Sequence, residues 1–209
     1  MGAVQSGVVR FVGKPAVLLL GLLPMAVLVS DAVLEQLGPN PVEAVIHRSG
    51  DWALRLLLLT LAVTPLRRAT GWIWPQKFRR MLGLLAFAYA VLHAVTYLAL
   101  DRGLVWGEIV TDLLKRPYIA FGATAFVLLV PLAATSTRAA MRRLGPNWQR
   151  LHRLVYVAAV LAVLHFLWLV KVDNLEPLVY GALLAALLLA RRARSAQKSR
   201  DAVVQGRPG

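Results

Sequence analysis

The run MLGLLAFAYAVLHAVTYLAL, Met81 to Leu100, is twenty residues long and holds no Asp, Glu, Lys or Arg. As a helix it is about 30 Å long, the thickness of a bilayer's hydrocarbon core. A chain built from several such runs has no water-soluble solution for them all. Five more can be marked: Pro15 to Ser30, Trp52 to Leu66, Pro117 to about Thr137, Leu151 to Val170, and Pro177 to Ala190. The second and sixth are short, and the second carries Arg55 and has a first turn reaching back toward His47. The pattern predicts an all-α polytopic membrane protein, a six-helix transmembrane bundle over residues 15–190. Residues 1–14 form an N-terminal segment, and 191–209 a basic tail expected to be disordered beside anionic lipid.

Composition supports this reading. Hydrophobic residues are 58% of the chain, mean hydropathy is +0.63, and the charged 16% sits between the apolar runs. A net charge of +14 would suit nucleic acid, but the cations lie in short loops beside spans, where membrane topology places them. No nucleic-acid partner is expected. Arg10 and Lys14 before the first run resemble a signal-peptide start, but SDAVLEQLG is a poor cleavage site, so the run is read as a span. With the N-terminus inside, inner segments hold 18 of the 24 basic residues, and nine of the ten acids, Asp31 to Glu176, fall outside. Both termini are therefore expected in the cytoplasm.

There is no cysteine. Thiolate-bound clusters, C-x-x-C redox motifs and covalent c-type haem are excluded. G-x-G-x-x-G, P-loop and H-E-x-x-H motifs are also absent.

An ionisable group inside a bilayer is a functional candidate by default. His93 lies eight residues before Asp101, about 12 Å from the outer end of its span; His165 lies six before Lys171, about 9 Å from its own. Two imidazoles at matching depth on separate helices are what a six-coordinate haem iron requires. His152 is different. It is about 20 Å below His165 along an ideal helix and roughly 140° around it, so the two cannot share an iron. A partner for it at the inner end of the third span is Arg79, a poor iron ligand but a good clamp for haem propionate or flavin phosphate. For each histidine taken alone the plain alternative is a packing or interfacial residue, and His47 in the outer loop is read that way. Arg55 is left between pointing inward and snorkelling. Trp52, Trp72, Trp74, Trp106, Trp148 and Trp168 fall near span ends, as an aromatic belt does, and Pro131 is read as a kink.

The stretches RRMLGLLAFAYAVLHAVTYLALD, LTLAVTPLRR, KRPYIAFG and LGPNWQRLHRLVYVAAVLAVLHFLWLVK together resemble the MsrQ (formerly YedZ) family. These are the haem-binding membrane subunits of the bacterial periplasmic methionine sulfoxide reductase system, within the ferric-reductase-like transmembrane group. The resemblance covers roughly residues 10 to 195. It implies a six-helix inner-membrane protein carrying haem b, one or two, with FMN also attributed to it. It implies electrons passing from the quinone pool or a cytosolic flavin reductase to MsrP, a periplasmic molybdopterin enzyme. The family's haem histidines fall on His93, His152 and His165 and its arginine on Arg79. Larger relatives use four histidines in two pairs and carry flavin and nicotinamide domains, for which this chain leaves no room. The expected role is thus an electron-transfer subunit without a complete catalytic site. The competing role is a proton-coupled membrane carrier using the histidines as relays. Against it stand few intramembrane acids and no evident inverted repeat. A purely structural subunit leaves the His93–His165 match unexplained.

Overall fold

The computed structural model describes residues 12–170 and 175–204, with side chains through residue 191. Arg10, Lys171, Asp173 and Arg207, which enter the charge pattern, lie outside the described residues. Among the described residues the chain is helical throughout its ordered elements, with no strand. The helices are α1 Lys14–Val33, α2 Pro41–Thr70, α3 Arg79–Val95, α4 Trp106–Lys115, α5 Pro117–Ala134, α6 Arg138–Leu144, α7 Pro146–His152, α8 Leu154–Leu169 and α9 Leu175–Val204. A 3-10 turn, Trp74–Lys77, precedes α3, and α3 continues as a π-helical turn over Thr96–Asp101. Among the described residues, four helical stretches are long and apolar enough to cross a membrane: Lys14–Val33, Arg79–Asp101, Pro117–Ala134 and Pro146–Leu169.

The helix bounds differ from the sequence reading where polarity and helicity part company. Helix α2 begins at Pro41, three turns before its apolar run, because Asn40 caps it and Pro41 suits the first helical position. The Asn40 side chain accepts from the Glu43 N–H at 3.3 Å. Gly71, at φ 75°, ends the helix in the left-handed conformation. Helix α9 does not stop at Ala190 but runs through the basic stretch to Val204, so that stretch is helical and not the disordered tail expected. The segment between the third and fourth spans, read as an outer loop, holds the amphipathic helix α4.

Two helix pairs form the body of the fold: α2 packs most extensively on α3, and α5 on α8. Their contacts are made by Leu54, Leu57, Leu58 and Leu61 of α2, Leu85, Ala86 and Tyr89 of α3, and Val155, Ala159 and Val163 of α8. Between lipid-exposed helices no hydrophobic gain separates lipid from protein, so close approach through small residues takes over. Ala158 and Ala159 are wholly buried on that account. Tyr89, also wholly buried, donates to the Gly21 carbonyl at 2.9 Å and ties α1 to α3. The apolar faces left open, Leu19 and Leu20 of α1, Val127 of α5 and Val157 of α8, suit contact with acyl chains.

The charges sort the bundle into an acidic end, with Asp31, Glu43, Asp101, Asp112 and Glu176, and a basic end, with Arg67, Arg68, Arg79, Arg80, Arg142 and Arg153. At the acidic end Arg48 pairs with Asp31. Arg55 turns toward α9, giving Nε–H to Tyr180 Oη at 2.7 Å and Nη2–H to Glu176 at 3.0 Å, with its guanidinium over the Trp52 ring. His47 is exposed and lies 3.6 Å from Glu43.

Candidate haem-binding site

The two pairs meet at His93 and His165. Their ring centroids are 6.0 Å apart and the rings stand at 85° to one another. Both line a cavity of about 480 Å³ toward the acidic end of the bundle, within the size range of small-molecule and cofactor sites. Its wall is largely apolar, including Ala53, Leu57, Ala90, Phe126, Leu129 and Ala162.

Each imidazole is held the same way. His93 Nδ1 lies 2.9 Å from the Ile46 carbonyl oxygen and His165 Nδ1 lies 2.7 Å from that of Tyr118. A carbonyl only accepts, so Nδ1 carries the proton and Nε2 keeps its lone pair. This is how metal-binding histidines are oriented: one ring nitrogen donates to a fixed acceptor and the other is left as a more basic donor to metal. The spacing also fits. Two metal–imidazole bonds of about 2 Å each, with the rings' half-widths added, put two centroids about 6 Å apart. Among the described residues no group of three or more His, Cys, Asp or Glu could hold a metal ion. Two imidazoles suffice only where the other ligands come with the cofactor, as the four nitrogens of a porphyrin do.

Glycine makes each cradle. A Cβ on Gly50 would lie 3.0 Å from His93 Nδ1, and one on Gly122 would lie 2.7 Å from His165 Nδ1. The sequence reading missed both glycines. It also missed the repeat that relates them: Tyr118 follows Ile46, Gly122 follows Gly50, and His165 follows His93, each by the same 72 residues. The tetrapeptide Ala90–His93, AVLH, recurs as Ala162–His165 at that offset. The repeat is a parallel one, so the search for an inverted repeat could not find it. Comparing the two histidine runs residue by residue would have.

At the acidic end α4 contributes Ile109 and Leu113 to the cavity wall. Asp112 fixes this helix: it pairs with Arg102 Nε at 2.9 Å and Arg116 Nε at 3.1 Å, and accepts from Tyr97 Oη at 2.9 Å. Asp112 is itself buried. The π turn after His93 lets Tyr97 and Arg102 reach it, a place where such turns often occur.

His152 is not at this cavity. It lies at the basic end, where the chain breaks at Arg153 between α7 and α8. Trp148 stacks on it with centroids 3.9 Å apart, and Nδ1 lies 3.1 Å from the Trp148 carbonyl oxygen. Its Nε2 is buried and makes no well-formed hydrogen bond, although the Leu132 backbone lies beside the ring. Arg79 is half-buried and within electrostatic reach of the ring. The structure therefore gathers the sequence candidates as two groups, His93 with His165 and His152 with Arg79. Nearby Arg191 donates to Tyr156 Oη and to the Leu61 carbonyl.

Residues 49–163 match the family described as ferric reductase like transmembrane component. The chain is 56% identical over 154 residues to the protein-methionine-sulfoxide reductase heme-binding subunit MsrQ of Xanthomonas axonopodis pv. citri (strain 306), covering 74% of this chain and 71% of that one. Against the protein of the same name from Azospira oryzae it is 51% identical over 177 residues, 84% of this chain and 76% of that one. No solved structure matches.

Proposed function

We propose that this chain, which belongs to the ferric-reductase-like transmembrane family and within it to the MsrQ haem-binding subunits, carries electrons across the bacterial inner membrane to a periplasmic methionine sulfoxide reductase. The observation that carries this is the His93–His165 pair: matched Nδ1–carbonyl bonds, which leave the lone pair on each Nε2, and a 6.0 Å separation. The proposal includes six spans, with α2 and α9 joining the four apolar stretches, and both termini in the cytoplasm by the distribution of arginine and lysine. The acidic end then faces the periplasm.

Haem b bound between His93 and His165 would supply reversible one-electron chemistry. The residues position and tune it. Ile46 and Tyr118 fix the tautomer of the two ligands. The apolar wall lowers the polarity around the haem, and α4, held by Asp112, walls part of the cavity at the periplasmic face. At the cytoplasmic face His152, Trp148 and Arg79 form the entry side. An Nε2 lone pair suits a second haem iron, and Arg79 beside it suits a haem propionate or the phosphate of FMN. The acceptor in this reading is an MsrP-type molybdopterin enzyme, and the donor is the quinone pool or a cytosolic flavin reductase.

The test is the visible spectrum of the detergent-purified protein, oxidised and dithionite-reduced, with a pyridine haemochrome to count haems. A low-spin b-type spectrum is expected. A colourless protein from haem-replete cells would sink this reading and leave the histidines as proton relays of a carrier.

A further inference from the structure

We infer that Gly50 and Gly122 are positioning residues for the two haem ligands, one in each copy of a 72-residue repeat, and that their lack of a side chain is what admits each imidazole to its backbone acceptor. The inference rests on the haem reading above and goes beyond it to residues that touch no cofactor.

In an α-helix the side chain at one position lies beside the carbonyl four residues earlier. Serine and threonine use this to bond back to that carbonyl. The chain does so repeatedly: Thr60 to Leu56, Thr124 to Ala120, and Ser49 to Val45 beside the cradle itself. At Ile46 and Tyr118 the residue four later is glycine, so no side chain from that position covers the carbonyl; at Ile46 the Ser49 hydroxyl also reaches the same oxygen, at 3.0 Å, from another side. An imidazole from the neighbouring helix fills that space and donates its Nδ1–H there. A methyl at Gly122 would meet Nδ1, Cε1 and Cγ of His165 at 2.7, 3.0 and 3.1 Å. At Gly50 it would meet Nδ1 and Cε1 of His93 at 3.0 and 3.2 Å. Each ring would have to move by several tenths of an ångström to reach ordinary contact. The ring is the atom group that must give, since the opposing surface is helix backbone.

Two features separate this from packing alone. Elsewhere in the bundle Gly83 and Gly181 have room for a methyl, with nearest contacts at 3.6 and 3.7 Å, and at Gly21 a methyl would meet Leu85 Cδ1 at 2.5 Å, the end of a flexible side chain and not a ring bonded to backbone. A serine at either cradle would do more than crowd the ring, because its hydroxyl would compete for the same carbonyl. The order of effect at each site is therefore serine above alanine, and Gly122 above Gly50.

The test uses the purified full chain with Gly122→Ala, Gly122→Ser, Gly50→Ala and, as controls, Gly83→Ala and Gly181→Ala. It reads spin state, haem content and carbon monoxide binding to the reduced protein, which a six-coordinate iron resists. The cradle variants should lose low-spin absorbance, bind carbon monoxide and release haem to apomyoglobin about tenfold faster or more. The controls should match the parent. Should Gly122→Ala fail to accumulate, the smaller clash in Gly50→Ala decides. Cradle variants with parental spectra, or controls that change equally, overturn the inference. A parent without haem would instead overturn the reading on which it rests.

Discussion

A histidine has two ring nitrogens, and in His93 and His165 one of them is already bonded to a carbonyl. Replacing either residue by alanine is expected to abolish the low-spin spectrum, read by absorbance and electron paramagnetic resonance of the purified variant. His152→Ala should leave the low-spin signal of the pair intact; a pyridine haemochrome falling from two haems to one would assign a second haem to His152. Tyr89→Phe removes the bond to Gly21 and should cost about 0.5–1.5 kcal/mol, seen as a lower melting temperature in detergent. The two ligand candidates were legible because distance to a span's end converts sequence position into depth. Their acceptors were not. A backbone carbonyl has no letter, and a glycine in an apolar helix reads as one more small packing residue. The AVLH repeat was the signal present for both.

At the scale of elements, hydropathy located the spans and failed wherever a helix was polar. The first turns of α2 were legible through Asn40 and Pro41 instead. Helix α4 is ten residues with a buried stripe of Ile109 and Asp112 and an exposed one of Trp106, Val110 and Leu114. It is too short and too charged to register as a span, and its two arginine partners lie outside it in sequence. Asp112→Asn weakens both ion pairs while keeping the shape. Because Arg102 and Arg116 are partly exposed, the loss of stability should be modest. Hydrogen exchange should quicken across Trp106–Lys115 and not in α3 or α5, which isolates the effect to the cover of the cavity.

For the whole molecule, loop arginines and lysines set the orientation, a property no coordinate reports. A fluorescent protein joined after Gly209 is expected to light up in the cytoplasm, and alkaline phosphatase inserted at Gly103 to be active, its site lying in the periplasm. The reverse pattern would invert the path proposed for electrons. The relation between the halves was legible only in part. The two histidine runs are visibly alike, but the hairpins carrying Gly50 and Gly122 share too few residues to align without the structure. That relation has a consequence for assembly. Each helix pair owns one imidazole and one acceptor, hence one of the two histidines of the proposed site. A protein with only α2 and α3 would own one histidine of the pair and would need a second copy of itself to supply the other. The present chain holds both units in one polypeptide, and they differ at the basic end: His152 of one stands where the other has Arg80.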